Sequence, residues 1–138
     1  SRHHVRLVDL KDKLVSIGHS MGGLIILNAQ RQHPELLELR VVTMGSPVQG
    51  TRLAYLEPWS TAAREMQPNS SFIATLKQDV ASHPRNITHV RGWWDELVPY
   101  DSSAFDGYPV FTVSPGGHAT LIYNPPIKEL QSILDPSR

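Results

Sequence analysis

The 138-residue chain has no cysteine, which excludes a disulfide framework, a thiolate metal site and a cysteine nucleophile while leaving the compartment open. Charge bias is missing too: thirteen Lys and Arg balance thirteen Asp and Glu, for a formal net charge of +0. A nucleic-acid partner would call for a basic patch and an anionic membrane for a polybasic segment, so neither partner is expected. Long apolar runs are lacking as well. Nothing approaches the roughly 20 residues of a transmembrane helix, and no signal-peptide h-region follows Ser1-Arg2-His3-His4. What is present is 40% hydrophobic residues, enough for one packed domain. The chain opens without methionine, and the expectation is that it forms the carboxy-terminal part of a longer protein.

The stretch that organises the rest is Ile17-Gly18-His19-Ser20-Met21-Gly22-Gly23. Leu14, Val15 and Ile17 precede the serine and Leu24 to Leu27 follow it, so a hydroxyl stands between glycines where an apolar strand meets an apolar helix. In a G-x-S-x-G nucleophile elbow this turn is strained, and the flanking glycines let the strand and helix backbones approach. Met21 would then offer its backbone N–H to a developing oxyanion at a helix N-terminus. The pattern occurs by accident in about one chain in twenty of this length at average composition. The alternative is a Gly-rich turn whose serine only caps the helix.

Leu14 to Ile17 reads as a short buried strand. A helix follows from Met21 to Gln32 and stops at His33-Pro34. Leu39 to Met44 is β-branched-rich and ends in Gly45-Ser46-Pro47, which makes a second strand and a parallel, right-handed βαβ unit. Residues 48–86 carry no strand signal. Ser71 to Val80 has helical apolar spacing with Asn69, Ser70 or Ser71 as cap, and Glu57 to Gln67 reads as a weaker helix. An insertion at the carboxyl end of a strand overhangs the place where open α/β sheets bind ligands, so 48–86 is read as a helical cap or lid. Ile87 to Trp93 and Val110 to Val113 are the third and fourth strands. Ala119 to Leu134 reads as a final helix whose main segment begins at Pro125-Pro126, and Ser1 to Lys13 fits helix or loop equally.

Three strand ends thus carry candidate groups in the chain order Ser20, Asp95, His118. A serine hydroxyl needs a neutral imidazole to take its proton, and the imidazolium needs a fixed carboxylate. The roles are Ser20 as nucleophile, His118 as general base and then acid, and Asp95 as orienting carboxylate. Glu96, Asp101 and Asp106 compete with Asp95, which lies closest to the strand end. His118 read blandly is a surface turn histidine. His19 packs beside the elbow, His33 ends a helix, His83 leaves the lid and His89 lies within a strand. No spacing among them suggests a metal site, and no cofactor is expected.

These residues resemble the bacterial triacylglycerol lipase and esterase branch of the α/β-hydrolases. The matching stretches are Gly18-His19-Ser20-Met21-Gly22-Gly23, Gly45-Ser46-Pro47-Val48-Gln49-Gly50-Thr51, Met66-Gln67-Pro68-Asn69-Ser70 with Phe72 and Leu76, Asp95-Glu96-Leu97-Val98-Pro99, and Gly117-His118 before Leu121-Ile122. The resemblance implies the carboxy-terminal part of an α/β-hydrolase domain spanning residues 1–138, an acyl-enzyme on Ser20, and Asp95 and His118 as the matching triad positions. Thr51 and Met66 would frame the pocket, and export is a family habit. Family members carry further strands before the nucleophile strand, one of which supplies the second oxyanion donor. With thirteen residues before Leu14 that donor is expected to be absent, at a cost of about 10²–10³ in turnover. The strand Leu14 to Ile17 would then be an exposed apolar edge prone to self-association.

The leading expectation is a serine carboxylic-ester hydrolase acting on a small acyl ester or lipid. An acyltransferase with the same triad, or a non-catalytic half-domain that binds a partner, are the alternatives. Trp59, Phe72, Trp93 and Trp94 are candidates both for acyl-pocket walls and for core.

Overall fold

The computed structural model describes residues 14–56, 59–93, 95–113, 117–118, 121 and 125–135. Four parallel strands form one sheet in the order β1 (Val15–His19), β2 (Arg40–Met44), β3 (Ile87–Gly92) and β4 (Val110–Val113). Helix α1 (Met21–Gln32) connects β1 to β2, while α2 (Thr61–Glu65) and α3 (Ser71–Ser82) lie between β2 and β3. Helix α4 (Ile127–Leu134) follows β4.

The sheet is covered on both faces, so its central strands are buried along nearly their whole length rather than at alternate positions. Along β2, Val41 joins a cluster with Leu24 and Leu27 of α1 and Ile73, Leu76 and Val80 of α3, whereas Val42 and Met44 join Val90, Leu121 and Ile133. Adjacent residues therefore feed opposite layers, as the period of two requires. On the α1–α3 side, Thr43 faces His89 across the ladder, and Thr43 Oγ1 lies 2.6 Å from His89 Nδ1.

Local chemistry sets the element ends. Ser70 accepts a hydrogen bond from the Ile73 N–H at 3.1 Å and Ser60 one from Ala63 at 3.3 Å, which caps α3 and α2. Arg40 donates to the carbonyls of Ile133 and Leu134, where α4 leaves its last carbonyls without helical partners. The helix expected over 57–67 is formed at Thr61–Glu65; residues 57–58 lie outside the described residues. α4 begins after Pro125 and Pro126 as expected, while 119–120 and 122–124, like Ser1 to Lys13, also lie outside them. The first three strands differ from the sequence reading by one or two residues, β1 and β2 each starting one residue later, at Val15 and Arg40. β1 runs on to His19 because Gly18 and His19 continue the ladder against Thr43 and Met44, and β3 stops at Gly92.

The segment 48–86 divides in two. Thr51, Ala54, Ala63 and Met66 face the carboxyl ends of the strands, whereas α3 packs its apolar face into the main core beside α1. Among the described strands β1 is an edge, and Leu14 and Ile17 are 40% and 46% exposed. Among the described residues no helix is long and apolar enough to cross a membrane.

Candidate active site

Ser20 stands at the junction of β1 and α1 with φ 53° and ψ −126°, the only non-glycine residue with positive φ among those described. An L-residue is strained there because its Cβ crowds the backbone. The ladder imposes the geometry: the Ser20 N–H donates to the Met44 carbonyl at 2.9 Å, so pairing continues up to the residue where the helix must begin. The serine makes no side-chain cap bond to α1. Its Oγ lies instead 2.9 Å from His118 Nε2.

The close approach of strand and helix depends on Gly18 and Gly23. A Cβ on Gly18 would lie 2.5 Å from the Gly23 amide nitrogen, and one on Gly23 would collide with the Ser46 side chain. Gly22, by contrast, has open space around it. The sequence pattern places the steric demand on both glycines of G-x-S-x-G; the second close contact belongs to Gly23, one residue later, because that residue is turned towards β2 and Ser46.

Asp95 follows β3, and its Oδ1 accepts the N–H groups of Leu97 at 2.9 Å and Val98 at 2.8 Å, a local turn that fixes the carboxylate. His118 Nδ1 lies 2.9 Å from Asp95 Oδ2 and 3.1 Å from Oδ1. Both side chains are nearly enclosed, at 10% exposure for His118 and 2% for Asp95. Burial pushes the Asp95 carboxyl up, but the hydrogen bonds from His118, Val98 and Leu97 and the charge attraction to His118 outweigh it and hold the group below its ordinary 3.8. An ionised carboxylate only accepts, so His118 Nδ1 carries the proton facing Asp95, and in the neutral imidazole Nε2 is left with a lone pair for the Ser20 hydroxyl. Gly45 makes room for this pair: at φ 57° its missing Cβ would lie 2.9 Å from Asp95 Oδ2 and 3.5 Å from His118 Nδ1.

Solved structures with the same arrangement of strands and helices exist. The mature form of the Bacillus licheniformis lipase BlEst2 superposes with a TM-score of 0.72 at 16% identity, over 88% of this chain and 65% of that one. A 2-hydroxy-6-oxo-6-phenylhexa-2,4-dienoate hydrolase from Rhodococcus sp. strain RHA1 gives 0.57 at 15%, over 87% and 62%. The esterase domain of a Rhodothermus marinus protein gives 0.54 at 16%, over 86% and 58%. This chain has the α/β-hydrolase fold. It spans about two thirds or less of the length of these neighbours. No protein-family model and no curated protein matches the sequence.

In the α/β-hydrolase frame the sequence-chosen Ser20 and Asp95 each lie within hydrogen-bond reach of His118, on opposite nitrogens of its ring. Met21 is the first residue of α1, and an N–H in a helix's first turn has no intrahelical acceptor. Beside Ser20 and His118 opens a cavity of about 210 Å³ lined by Pro47, Thr51, Ala54, Ala63, Met66, Leu97 and Val98. Thr51 ties its walls together: its N–H donates to the Met66 carbonyl and its Oγ1 hydroxyl to the Leu97 carbonyl, both at 2.7 Å.

The aromatic residues considered as pocket walls do not line this cavity. Trp59 and Trp93 are 76% and 61% exposed, Phe72 packs against the core, and Trp94 lies outside the described residues. Small aliphatic side chains leave the space that an indole would fill. Two residues beside Ser20 and Asp95 do more than the sequence reading gives them. His19 Nε2 is 2.8 Å from the His118 carbonyl oxygen, and Glu96 Oε2 accepts the His118 N–H at 3.1 Å. Their positions next to Ser20 and Asp95 are the available signal. Among the described residues no group of three or more His, Asp or Glu side chains could hold a metal ion.

Proposed function

We propose that the chain carries the nucleophile, base and acid of a serine carboxylic-ester hydrolase of the lipase and esterase type. The observation that carries this reading is the hydrogen-bonded series Ser20 Oγ, His118 Nε2, His118 Nδ1 and Asp95 Oδ2, with both contacts at 2.9 Å. In the proposed reaction His118 Nε2 takes the Ser20 proton as Oγ adds to the ester carbonyl carbon. The oxyanion forms against the Met21 N–H and the amino end of α1. His118 then returns the proton to the departing alcohol, leaving an acyl group on Ser20. Water, deprotonated by the same imidazole, releases the acid and restores the hydroxyl.

An uncharged cavity wall of proline, alanine, methionine, leucine and valine suits the hydrocarbon part of an acyl ester. The resemblance of the elbow and of Gly45 to Thr51 to triacylglycerol lipases points the same way. Within 48–86 the part that would act as a lid is 51–66, since α3 is built into the core.

A fluorophosphonate probe tests the reading without requiring turnover. The folded chain should be labelled, and Ser20→Ala and His118→Ala should each lose labelling by about 10⁴-fold or more. A folded chain that stays unlabelled, or an equally labelled Ser20→Ala, would sink the proposal.

A further inference from the structure

We propose that His19 and Glu96 are positioning residues that grip the peptide of residue 118 from both sides and thereby hold its imidazole on Ser20. The inference rests on the serine-hydrolase reading of the site. His118 lies outside the described helices and strands, and among the described residues no ladder or helical turn supplies a partner for its main chain. Side chains supply both. The His118 N–H donates to Glu96 Oε2 at 3.1 Å, and the His118 carbonyl accepts from His19 Nε2 at 2.8 Å. A carbonyl can only accept, so His19 carries its proton on Nε2.

The two grips come from the sheet ends that deliver the reacting groups. His19 precedes Ser20 on β1, and Glu96 follows Asp95 after β3. The imidazole is thus held by Ser20 and Asp95, and its own peptide by the neighbour of each. The His19 and His118 rings also pack with centroids 4.7 Å apart at 47°, which limits rotation of the base away from the serine. Any displacement of residue 118 relative to the nucleophile must break one of these bonds. A misplacement of about 1 Å costs up to 10²-fold in rate, so loss of one grip should be felt in the chemical step rather than in binding.

The test is the fluorophosphonate reaction of the full chain, resolved into its limiting rate and half-saturating probe concentration, with melting temperatures measured alongside. His19→Phe keeps a ring without the N–H; His19→Gln restores a donor. Glu96→Ala removes the acceptor; Glu96→Gln restores one. His19→Phe and Glu96→Ala should each lower the limiting rate about tenfold with unchanged half-saturation, and both glutamine variants should stay within about twofold of the parent. Parental rates in His19→Phe and Glu96→Ala would overturn the positioning role while leaving the hydrolase reading intact. Equal slowing of the phenylalanine, alanine and glutamine variants, in step with their melting temperatures, would overturn it in favour of simple fold stabilisation. A parent chain that is never labelled overturns the hydrolase reading, and this inference with it.

Discussion

Ser20 is held at φ 53° by a ladder bond on one side and a helix on the other, and strain of this kind costs on the order of 1–3 kcal/mol. The proposed nucleophile is therefore expected to sit on a position that disfavours any side chain. Ser20→Gly should be more stable to urea than Ser20→Ala by about 1 kcal/mol, because both lack the hydroxyl and only alanine keeps the crowded Cβ. Alanine equal to or above glycine would show that the junction is unstrained. Asp95 gives a second prediction. In Asp95→Asn the side-chain amide still offers an oxygen to the Leu97 and Val98 N–H groups, so the fold should survive, but a neutral amide cannot favour the tautomer with hydrogen on His118 Nδ1. The substitution should slow ester hydrolysis about 10³–10⁴-fold; a loss under tenfold would remove Asp95 from the proposed mechanism. Sequence proximity to a strand end singles out Asp95 from Glu96, Asp101 and Asp106, and it is Asp95 that meets the imidazole. Glu96 is legible only as a competitor, because a bond to the main chain of a residue 22 positions away leaves no mark on local pattern.

The crossing of β1 over α1 is the element that fixes the site, and it depends on which glycine touches what. Gly18 and Gly23 face each other and Ser46, so Gly18→Ala and Gly23→Ala should each destabilise by roughly 1–3 kcal/mol or more through overpacking. Gly22 has open space, and Gly22→Ala should be neutral or stabilising by up to about 1 kcal/mol, as expected for alanine replacing glycine in a helix. Denaturant unfolding of the three variants checks the order; a destabilised Gly22→Ala would contradict it. The bounds of α1 and β4 are readable in sequence since Pro34, Pro109 and the apolar runs act locally, as is the Ser70 cap. The extra length of β1 is not, because it is set by pairing with β2 residues some 25 positions on. The same holds for the cavity. Its alanine, threonine and methionine walls come from separate segments that only the folded chain brings together, whereas tryptophans that attract attention in a sequence stand in solvent here.

At the scale of the whole molecule, two features govern behaviour in solution. β1 is unpaired on one side among the described strands, and its Ile17 and the preceding Leu14 are exposed. Such an edge recruits other strands, so this chain should sediment as a concentration-dependent oligomer that Ile17→Lys shifts towards monomer; a monomer at every concentration would dismiss the idea. The second feature lies at the centre of the sheet. His89 is fully buried, accepts the Phe105 N–H on Nε2 at 3.2 Å and meets Thr43 Oγ1 on Nδ1. Its Nε2 has a donor already facing it, so a second ring proton has nowhere to bond. Burial, with a smaller push from the Arg91 charge, lowers its pKa from 6.5 to about 4. The unfolded chain therefore binds this proton before the folded one does. Stability from the neutral ring is complete above pH 6.5, falls as pH drops towards 4, and loses nothing more below that. The total is about 3 kcal/mol, at 1.36 kcal/mol per unit. Urea unfolding at pH 7.5 and 4.5 should show most of that loss in the parent chain. His89→Gln should be weaker at pH 7.5 yet lose about 2–3 kcal/mol less on acidification, because the residue that refuses the proton is gone. Equal pH dependence in the two proteins would mean that acid acts elsewhere.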